Sequence, residues 1–284
     1  MMCAWTEFIS ILPLGLREEV DRIGRSTLQE LRLRINAPPE LVLSEKQLWL
    51  KEPVTQEDLQ FVINTASRYS PWAASTLSMG FLTSPGGHRI GVCGEVVCKD
   101  GSVSGMRMLQ ALCIRLARDY TKIAPKLGEE DGSILILGPP GSGKTTMLRD
   151  VIRQKAQYSH ICVVDERREL FPEGFHRVGS IDILSGCPKS IGIEMLLKTM
   201  GPDWIAVDEI TSAADCAALI EASNSGVQFL ATVHSSSLRD LGNRTIYRKF
   251  LEYHIFQSVI ALKRDKTWTK ERMTPCFANG SARY

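Results

Sequence analysis

The stretch ILILGPPGSGKTTMLRD, residues 134–150, constrains the fold of this chain more than any other part of its sequence. Within it, Gly138, Gly143, Lys144 and Thr145 have the spacing of a phosphate-binding loop, G-x-x-x-x-G-K-[ST]. An apolar strand pattern precedes the loop and an amphipathic helix pattern follows it, which is the context that this motif requires. The sequence therefore predicts a triphosphate site between a buried strand and the N-terminus of a helix.

The residue types in the loop predict how ATP and Mg²⁺ would be bound. Glycines let the backbone amides turn towards phosphate oxygens without a clash from a Cβ atom. The ammonium of Lys144 is expected to reach the β- and γ-phosphates, and the hydroxyl of Thr145 is expected to bind Mg²⁺. The predicted nucleotide-binding residues are Gly138, Pro139, Pro140, Gly141, Ser142, Gly143, Lys144, Thr145 and Thr146.

A second acidic group is needed to hold the water shell of the metal ion. The segment WIAVDE supplies one, because its apolar strand pattern is followed by Asp208 and Glu209. Ligands of open α/β sheets bind at the carboxyl ends of the strands. We therefore expect Asp208 to hold Mg²⁺ through water and Glu209 to polarise the attacking water.

The segment CVVDERREL also places acids, Asp165 and Glu166, just after an apolar strand pattern. If this strand neighbours the strand of the phosphate loop, these acids also face the γ-phosphate. The alternative is a turn in which they pair with Arg167 and Arg168. The general base is therefore predicted to be Glu209, with Glu166 or Asp165 as the other candidates.

A third apolar strand pattern, in FLATVHSSS, ends with Thr232 and His234. Polar side chains at the end of a strand in a nucleotide-binding sheet can hydrogen-bond the γ-phosphate or its water. We therefore include His234 among the predicted catalytic residues. The others are Lys144 and the three candidate bases, Glu209, Glu166 and Asp165.

The order of apolar and polar patterns predicts two domains. Residues 1–125 combine helical stretches with short β-rich runs and Gly-rich turns, which predicts a small α+β domain. Residues 126–284 alternate strand and helix patterns, which predicts a P-loop NTPase with a mostly parallel sheet covered by helices on both faces.

Composition narrows the class of protein further. A net charge of +2 over 284 residues gives no general attraction to nucleic acid, and no nucleic-acid partner is expected. No apolar run reaches the ~18 residues that span a bilayer. The eight cysteines form no C-x-x-C pair, so reduced cytosolic thiols are expected rather than a zinc site or disulfides.

Three segments follow the phosphate loop: VVDERREL, LLKTMGPDWIAVDEIT and ATVHSSS. Their order resembles that of the corresponding motifs in the secretion (traffic) ATPases of the RecA-like group. The segments GGHRIGVCGEVV and DILSGCPKS carry a narrower resemblance, to a family of endospore-forming bacteria that acts in sporulation. This resemblance covers most of the chain, from about residue 31 to the end of the ATPase part.

The resemblance implies an ATPase that forms a homo-hexamer and energises a channel from the mother cell to the forespore. It would lie in the cytoplasm, peripheral to the cytosolic face of the mother-cell membrane, and be held there by integral membrane proteins of a sporulation channel complex. In the secretion ATPases the first acid of the strand-end box is usually catalytic, and Asp165 matches it, with Glu166 beside it. Arginines that act in trans come from the N-terminal domain of these enzymes, so Arg89, Arg107 and Arg115 are candidates.

Two other functions fit the same loop. A nucleic-acid-dependent ATPase is the first, because RecA-like folds also serve helicases and LKRDKTWTKE could form a basic contact. A nucleotide-binding scaffold with little hydrolysis is the second.

Overall fold

The computed structural model describes residues 2–24, 27–69, 80–99, 101–124, 127–172 and 175–273. The chain divides into two compact units, the first of residues 1–119 with 172–176 and the second of residues 120–171 with 177–284. The domain boundary predicted between residues 125 and 126 lies outside the described residues. Each unit has its own sheet and its own apolar core.

The first unit is built on an antiparallel sheet of strand order β4-β3-β2-β7-β6-β5. Its elements are β1 (Met2–Cys3), α1 (Trp5–Ser10), α2 (Leu14–Gly24), β2 (Leu28–Arg34), β3 (Glu40–Leu43), β4 (Gln47–Trp49), α3 (Gln56–Ala66), β5 (Phe81–Thr83), β6 (Arg89–Lys99), β7 (Ser102–Arg115) and β8 (Arg118–Asp119).

Helix α3 shows how the sequence specifies an element of this unit. The Thr55 side chain accepts a hydrogen bond from the Asp58 amide, and the Asp58 carboxylate accepts one from the Thr55 amide, which makes a capping box. The apolar face of the helix is buried in the core of the unit through Leu59, Val62 and Ile63. The capping residues and the apolar face together account for a helix at this position.

The second unit contains the phosphate loop. Its elements are β9 (Ile134–Gly138), α4 (Lys144–Lys155), β10 (Ile161–Asp165), β11 (Ile181–Ser185), α5 (Lys189–Thr199), β12 (Trp204–Val207), α6 (Ala213–Ser223), β13 (Gln228–His234), α7 (Leu238–Asn243), α8 (Thr245–Glu252), β14 (Ser258–Leu262) and β15 (Trp268–Arg272). They form one sheet of strand order β11-β10-β12-β13-β9-β14-β15, in which β15 is antiparallel and the other strands are parallel.

This sheet is covered on both faces. Alternate residues of a strand point to opposite faces, so β9 contributes Leu135 to one core and Ile136 to the other. Helix α4 packs on the face of Ile136, and helices α5 and α6 pack on the face of Leu135. The predicted RecA-like architecture is thereby confirmed. Among the helices in the described residues, none combines the length and apolar composition that crossing a membrane requires.

Candidate nucleotide site

The phosphate loop joins β9 to α4 at the carboxyl edge of the parallel sheet. Gly141 and Gly143 have φ angles of 73° and 99°, in the left-handed region that favours glycine. At Gly138 the requirement is space, because a Cβ atom there would lie 2.5 Å from the hydroxyl oxygen of Ser142. The predicted loop glycines therefore each have a physical reason in the backbone of this turn.

Lys144, the first residue of α4, is buried beneath the loop. Its ammonium donates a hydrogen bond to the carbonyl oxygen of Pro139 at 3.1 Å and lies 2.9 Å from Nδ1 of His234. Burial lowers the pKa of Lys144, and the negative charges of Asp208 and Glu209 oppose that shift. The lysine is thus fixed at the loop by contacts that a phosphate could replace.

Asp208 directly follows β12 and links it to helix α4 and strand β13 at this edge. Its Oδ2 atom accepts a hydrogen bond from the Thr145 hydroxyl at 2.7 Å, and its Oδ1 atom accepts one from the Thr232 hydroxyl at 2.5 Å. The two residues predicted to hold Mg²⁺ are therefore adjacent. Hydroxyl and carboxylate oxygens are the ligands that Mg²⁺ prefers, with water completing its octahedral shell.

Glu209 has a constrained backbone and a paired side chain. Its φ angle is 51°, a left-handed conformation that costs a residue with a Cβ atom about 1 kcal/mol, and its amide donates to the Thr232 hydroxyl at 2.8 Å. One carboxylate oxygen lies 2.7 Å from Arg167 and the other 3.1 Å from Nε2 of His234. Strained, well-supported residues of this kind cluster at functional sites.

Asp165 is held differently. Its buried carboxylate accepts hydrogen bonds from the amides of Glu169, Leu170 and Phe171 at 2.8, 3.0 and 3.2 Å. Burial raises its pKa, the three amide hydrogen bonds lower it, and the nearby charge of Asp208 raises it further. These contacts commit Asp165 to closing the turn after β10.

Asp165 and Glu166 were expected to face the γ-phosphate only if their strand neighboured the strand of the phosphate loop. The sheet does not have that order. Strand β10 does not neighbour β9, because β12 and β13 lie between them. Strand β13, which carries Thr232 and His234, is the direct neighbour of β9. The strand order therefore brings Lys144, His234, Asp208 and Glu209 together, and leaves the acids of β10 further along the same edge.

Glu166 forms an ion pair with Lys189, whose side chain is buried at the start of α5. Lys189 and Arg167 line a cleft together with Asp208 and Glu209. No site role was predicted from the sequence for Lys189 or Arg167. The segment SGCPKS, which ends just after Lys189, carried a resemblance but no chemistry that pointed to this ion pair.

The loop shows two signs that it fits a phosphate ligand. The Ser142 hydroxyl is buried without a hydrogen-bond partner among the described residues, and an unsatisfied buried hydroxyl is costly. The ammonium of Lys266, in the turn between β14 and β15, bonds the carbonyl oxygen of Gly141 at the mouth of the loop. The remaining predicted residues, Pro139, Pro140 and Thr146, lie in the loop and the first turn of α4.

The predicted trans-acting arginines lie in the antiparallel sheet of the first unit. Arg107 pairs with Glu95 across β6 and β7, and Arg115 pairs with Glu30 at 3.0 Å. The guanidinium of Arg89 stacks over the ring of Phe81 at 4.3 Å from its centroid. Their role towards a neighbouring subunit stays a prediction.

Solved structures of secretion and pilus ATPases share this fold. The Legionella pneumophila ATPase DotB aligns with a TM-score of 0.60 and 16% identity, covering 92% of this chain and 80% of that chain. The pilus retraction motor PilT, solved with bound ADP, aligns with a TM-score of 0.65 and 17% identity, covering 93% and 83%. At this level of identity the likeness establishes the fold.

Sequence comparison gives the family. The stage III sporulation protein AA of Bacillus subtilis is 33% identical over 282 residues, which cover 92% of this chain and 91% of that protein. Residues 5–273 match the family described as "Sporulation stage III, protein AA". The chain has the fold of a secretion ATPase and belongs to the sporulation stage III protein AA family.

Proposed function

We propose that this protein hydrolyses ATP in a Mg²⁺-dependent reaction and acts as a secretion-type motor during endospore formation. One observation carries the proposal: Lys144, His234 and Glu209 form a continuous chain of contacts, and Thr145, Asp208 and Thr232 form a second one beside it. The amide of Glu209 joins the two chains through Thr232.

The residues divide the work of phosphoryl transfer between them. The loop amides and Lys144 would bind the phosphates, while Thr145 and Asp208 would hold Mg²⁺, which neutralises charge on the transferring group. Glu209 would accept the proton of the attacking water. His234 contacts both Lys144 and Glu209, so it could transmit the loss of the γ-phosphate from the loop to the acid.

Glu209 is the best-placed general base of the three candidates. Its carboxylate is partly exposed and adjoins Asp208, whereas Asp165 is buried and saturated by three amides. Glu166 is the second choice, because it lines the same cleft but is neutralised by Lys189. A base has to reach a water near the γ-phosphate. The strand order favours Glu209, because β12, which precedes it, is closer to β9 than β10 is.

The family membership and the motor-like fold support a role in energising a channel between mother cell and forespore. We propose a homo-hexamer in which Arg89, Arg107 or Arg115 of one subunit acts on the nucleotide of its neighbour. Integral membrane proteins of the channel complex would hold the ring at the cytosolic face of the mother-cell membrane.

Phosphate release by the purified protein, with and without candidate membrane partners, tests the proposal. Wild-type protein should release phosphate from ATP, and Lys144→Ala should lower the rate at least a hundredfold, the loss expected when a preorganised transition-state contact is removed. Lys51→Ala, at an exposed lysine of the first unit, is the matched control and should leave the rate unchanged. Wild-type turnover in Lys144→Ala would refute the proposal, and tight ATP binding without turnover, even with partners, would support a scaffold instead.

A further inference from the structure

Strand pairing brings together a histidine, a cysteine and an aspartate, residue types that can bind metal ions, at the end of the sheet opposite to the phosphate loop. His160 directly precedes β10, Cys162 is its second residue, and Asp182 is the second residue of β11. Asp165 and the nucleotide cleft lie at the other end of β10. The cluster is therefore separate from the site already described.

The parallel register explains why the three side chains converge. Cys162 and Asp182 are direct partners in the pairing of β10 with β11, so their side chains lie on the same face. His160 is two residues before Cys162 and shares that face. One ligand atom from each of the three residues lies within 4.8 Å of the other two.

The individual distances suit one small ion. Nε2 of His160 lies 2.7 Å from Oδ2 of Asp182 and 3.8 Å from Sγ of Cys162. Zinc-class ions bind imidazole nitrogen and carboxylate oxygen at about 2.0–2.2 Å and thiolate sulfur at about 2.3 Å. Ligand atoms separated by roughly 3–4 Å are therefore what a tetrahedral ion needs, after a small opening of the His160–Asp182 pair.

The cluster is preorganised on one side and open on the other. Cys162 is fully buried in the sheet, and the backbone of His160 is fixed by the amide hydrogen bond that Asp203 accepts at 2.8 Å. The side chains of His160 and Asp182 are 26% and 48% exposed, so an ion can enter from solvent and keep water as a fourth ligand. Three protein ligands and an open position form a recurring zinc geometry.

We propose that His160, Cys162 and Asp182 form a binding site for a transition-metal ion of the zinc class, which staples the edge strand β11 to β10. The mixed nitrogen, sulfur and oxygen ligands select such an ion over Mg²⁺, which prefers oxygen. The spacing of the cysteines along the sequence predicts no zinc site, because the third ligand comes from a strand paired to β10 only in the fold.

Titration of the full-length, reduced, metal-stripped protein with Co²⁺, in the presence of excess Mg²⁺, tests this proposal. We expect one Co²⁺ per chain, a thiolate-to-cobalt charge-transfer band, and displacement of Co²⁺ by Zn²⁺. Cys162→Ser should remove the band, and His160→Gln should weaken Co²⁺ binding at least about tenfold. Cys216→Ser is the matched control, because burial raises the pKa of both thiols to about 11 and Cys216 lies outside the cluster.

If Cys162→Ser fails to fold, a second variant that changes only the two partly exposed ligands, His160 and Asp182, still tests the proposal. The double variant His160→Gln with Asp182→Asn changes only such side chains, and it should bind Co²⁺ too weakly to give the band. The proposal is overturned if the wild type gives no band, if the band persists at wild-type affinity in the double variant, or if Cys216→Ser abolishes it.

Discussion

Asp165 ends a buried strand and Glu209 lies just after another, yet the contacts of the two acids differ. Asp165 accepts three backbone amides within the turn after β10. Glu209 faces Arg167 and His234, beside the residues proposed to hold Mg²⁺. An acid that anchors a turn affects folding when it is changed, whereas an acid that accepts a proton affects the rate of the reaction.

Asp165→Asn should therefore reduce stability rather than act on chemistry alone. The amide of asparagine offers one acceptor where the carboxylate offers two, so at least one buried backbone N–H loses its partner. The free energy of unfolding should fall by about 1–3 kcal/mol, measured by urea denaturation. ATP turnover per folded molecule should stay within a few-fold of wild type, and a large loss of turnover at unchanged stability would restore Asp165 as the base.

A second residue-scale prediction concerns Lys155, which is buried away from the nucleotide site. Its ammonium donates to the carbonyl oxygen of Glu130 at 2.7 Å and lies 3.7 Å from the centroid of the Trp204 ring. Burial lowers the pKa of Lys155 to about 8, whereas a lysine in the unfolded chain titrates near 10.4. The unfolded chain therefore binds more protons between these two pH values.

Stability should consequently rise with pH in that window, because the unfolded state has to release the extra proton. The free energy of unfolding of wild type relative to Lys155→Met should increase by about 1–3 kcal/mol from pH 8 to pH 10. Urea denaturation of both proteins at each pH measures it. A difference that stays constant or falls with pH would show that Lys155 keeps an ordinary pKa in the folded protein.

At the scale of elements, the central strands, which carry the candidate site residues, were easier to predict from the sequence than the strands towards the two edges of the sheet. Strands β9, β10, β12 and β13 were predicted, because each is a largely apolar run that ends at the phosphate loop or at polar side chains. Strand β11 was not, since it is only partly buried and contains Asp182. The hairpin of β14 and β15 was also missed, because its charged turn matched the pattern of a basic surface contact.

The order of the strands in the sheet could not be predicted from the sequence either. Whether β10 or β13 adjoins β9 decides which polar box meets Lys144, and this depends on how helices α4, α5 and α6 pack on the two faces. The positions of Lys144 and Thr145 in the phosphate loop were predictable from motif spacing, and that of Asp208 from its place after an apolar strand. The contacts of Arg167 and Lys189 arise from tertiary packing.

The hairpin of β14 and β15 gives a prediction of its own. Because β14 runs parallel to β9, the turn after it lies at the edge that carries the phosphate loop, where Lys266 bonds Gly141. A bound triphosphate offers that ammonium a better partner. Lys266→Ala should weaken ATP binding about three- to tenfold, or roughly 1 kcal/mol for an exposed ion pair.

Isothermal titration with a slowly hydrolysed ATP analogue measures the loss at Lys266. Lys263→Ala, in the same turn, is the matched control, since the Lys263 amide bonds Thr267 within the turn and its side chain is exposed. Equal losses in the two variants would mean that general charge, rather than the Lys266 contact, contributes to binding.

At the scale of the whole molecule, the proposed ring requires that one chain complete the site of the next. The candidate arginines lie in the first unit and the phosphate loop in the second. An arginine supplied in trans stabilises charge in the transition state, so its loss lowers turnover by about 10³-fold or more while nucleotide binding is kept.

Mixing two inactive proteins tests the trans arrangement. The triple variant Arg89→Ala, Arg107→Ala and Arg115→Ala lacks all three candidate trans-acting arginines but keeps its phosphate loop. Lys144→Ala lacks the loop lysine but keeps the arginines. Mixed rings should recover part of the wild-type phosphate release, because some interfaces combine an intact loop with an intact arginine. No recovery, with mixed assembly shown by mass determination in ATP, would contradict a trans role.

We propose that Glu209, held by Arg167, His234 and Thr232, activates the water that attacks ATP at the phosphate loop. The most direct measurement compares ATP affinity and steady-state phosphate release in wild type and Glu209→Gln, with Glu166→Gln as the neighbouring-acid control. We predict that Glu209→Gln binds ATP within a few-fold of wild type and loses turnover at least a hundredfold, as removal of a general base does, while Glu166→Gln keeps most of its turnover. Near wild-type turnover in Glu209→Gln, with turnover lost in Glu166→Gln, would show that Glu166 and not Glu209 is the general base.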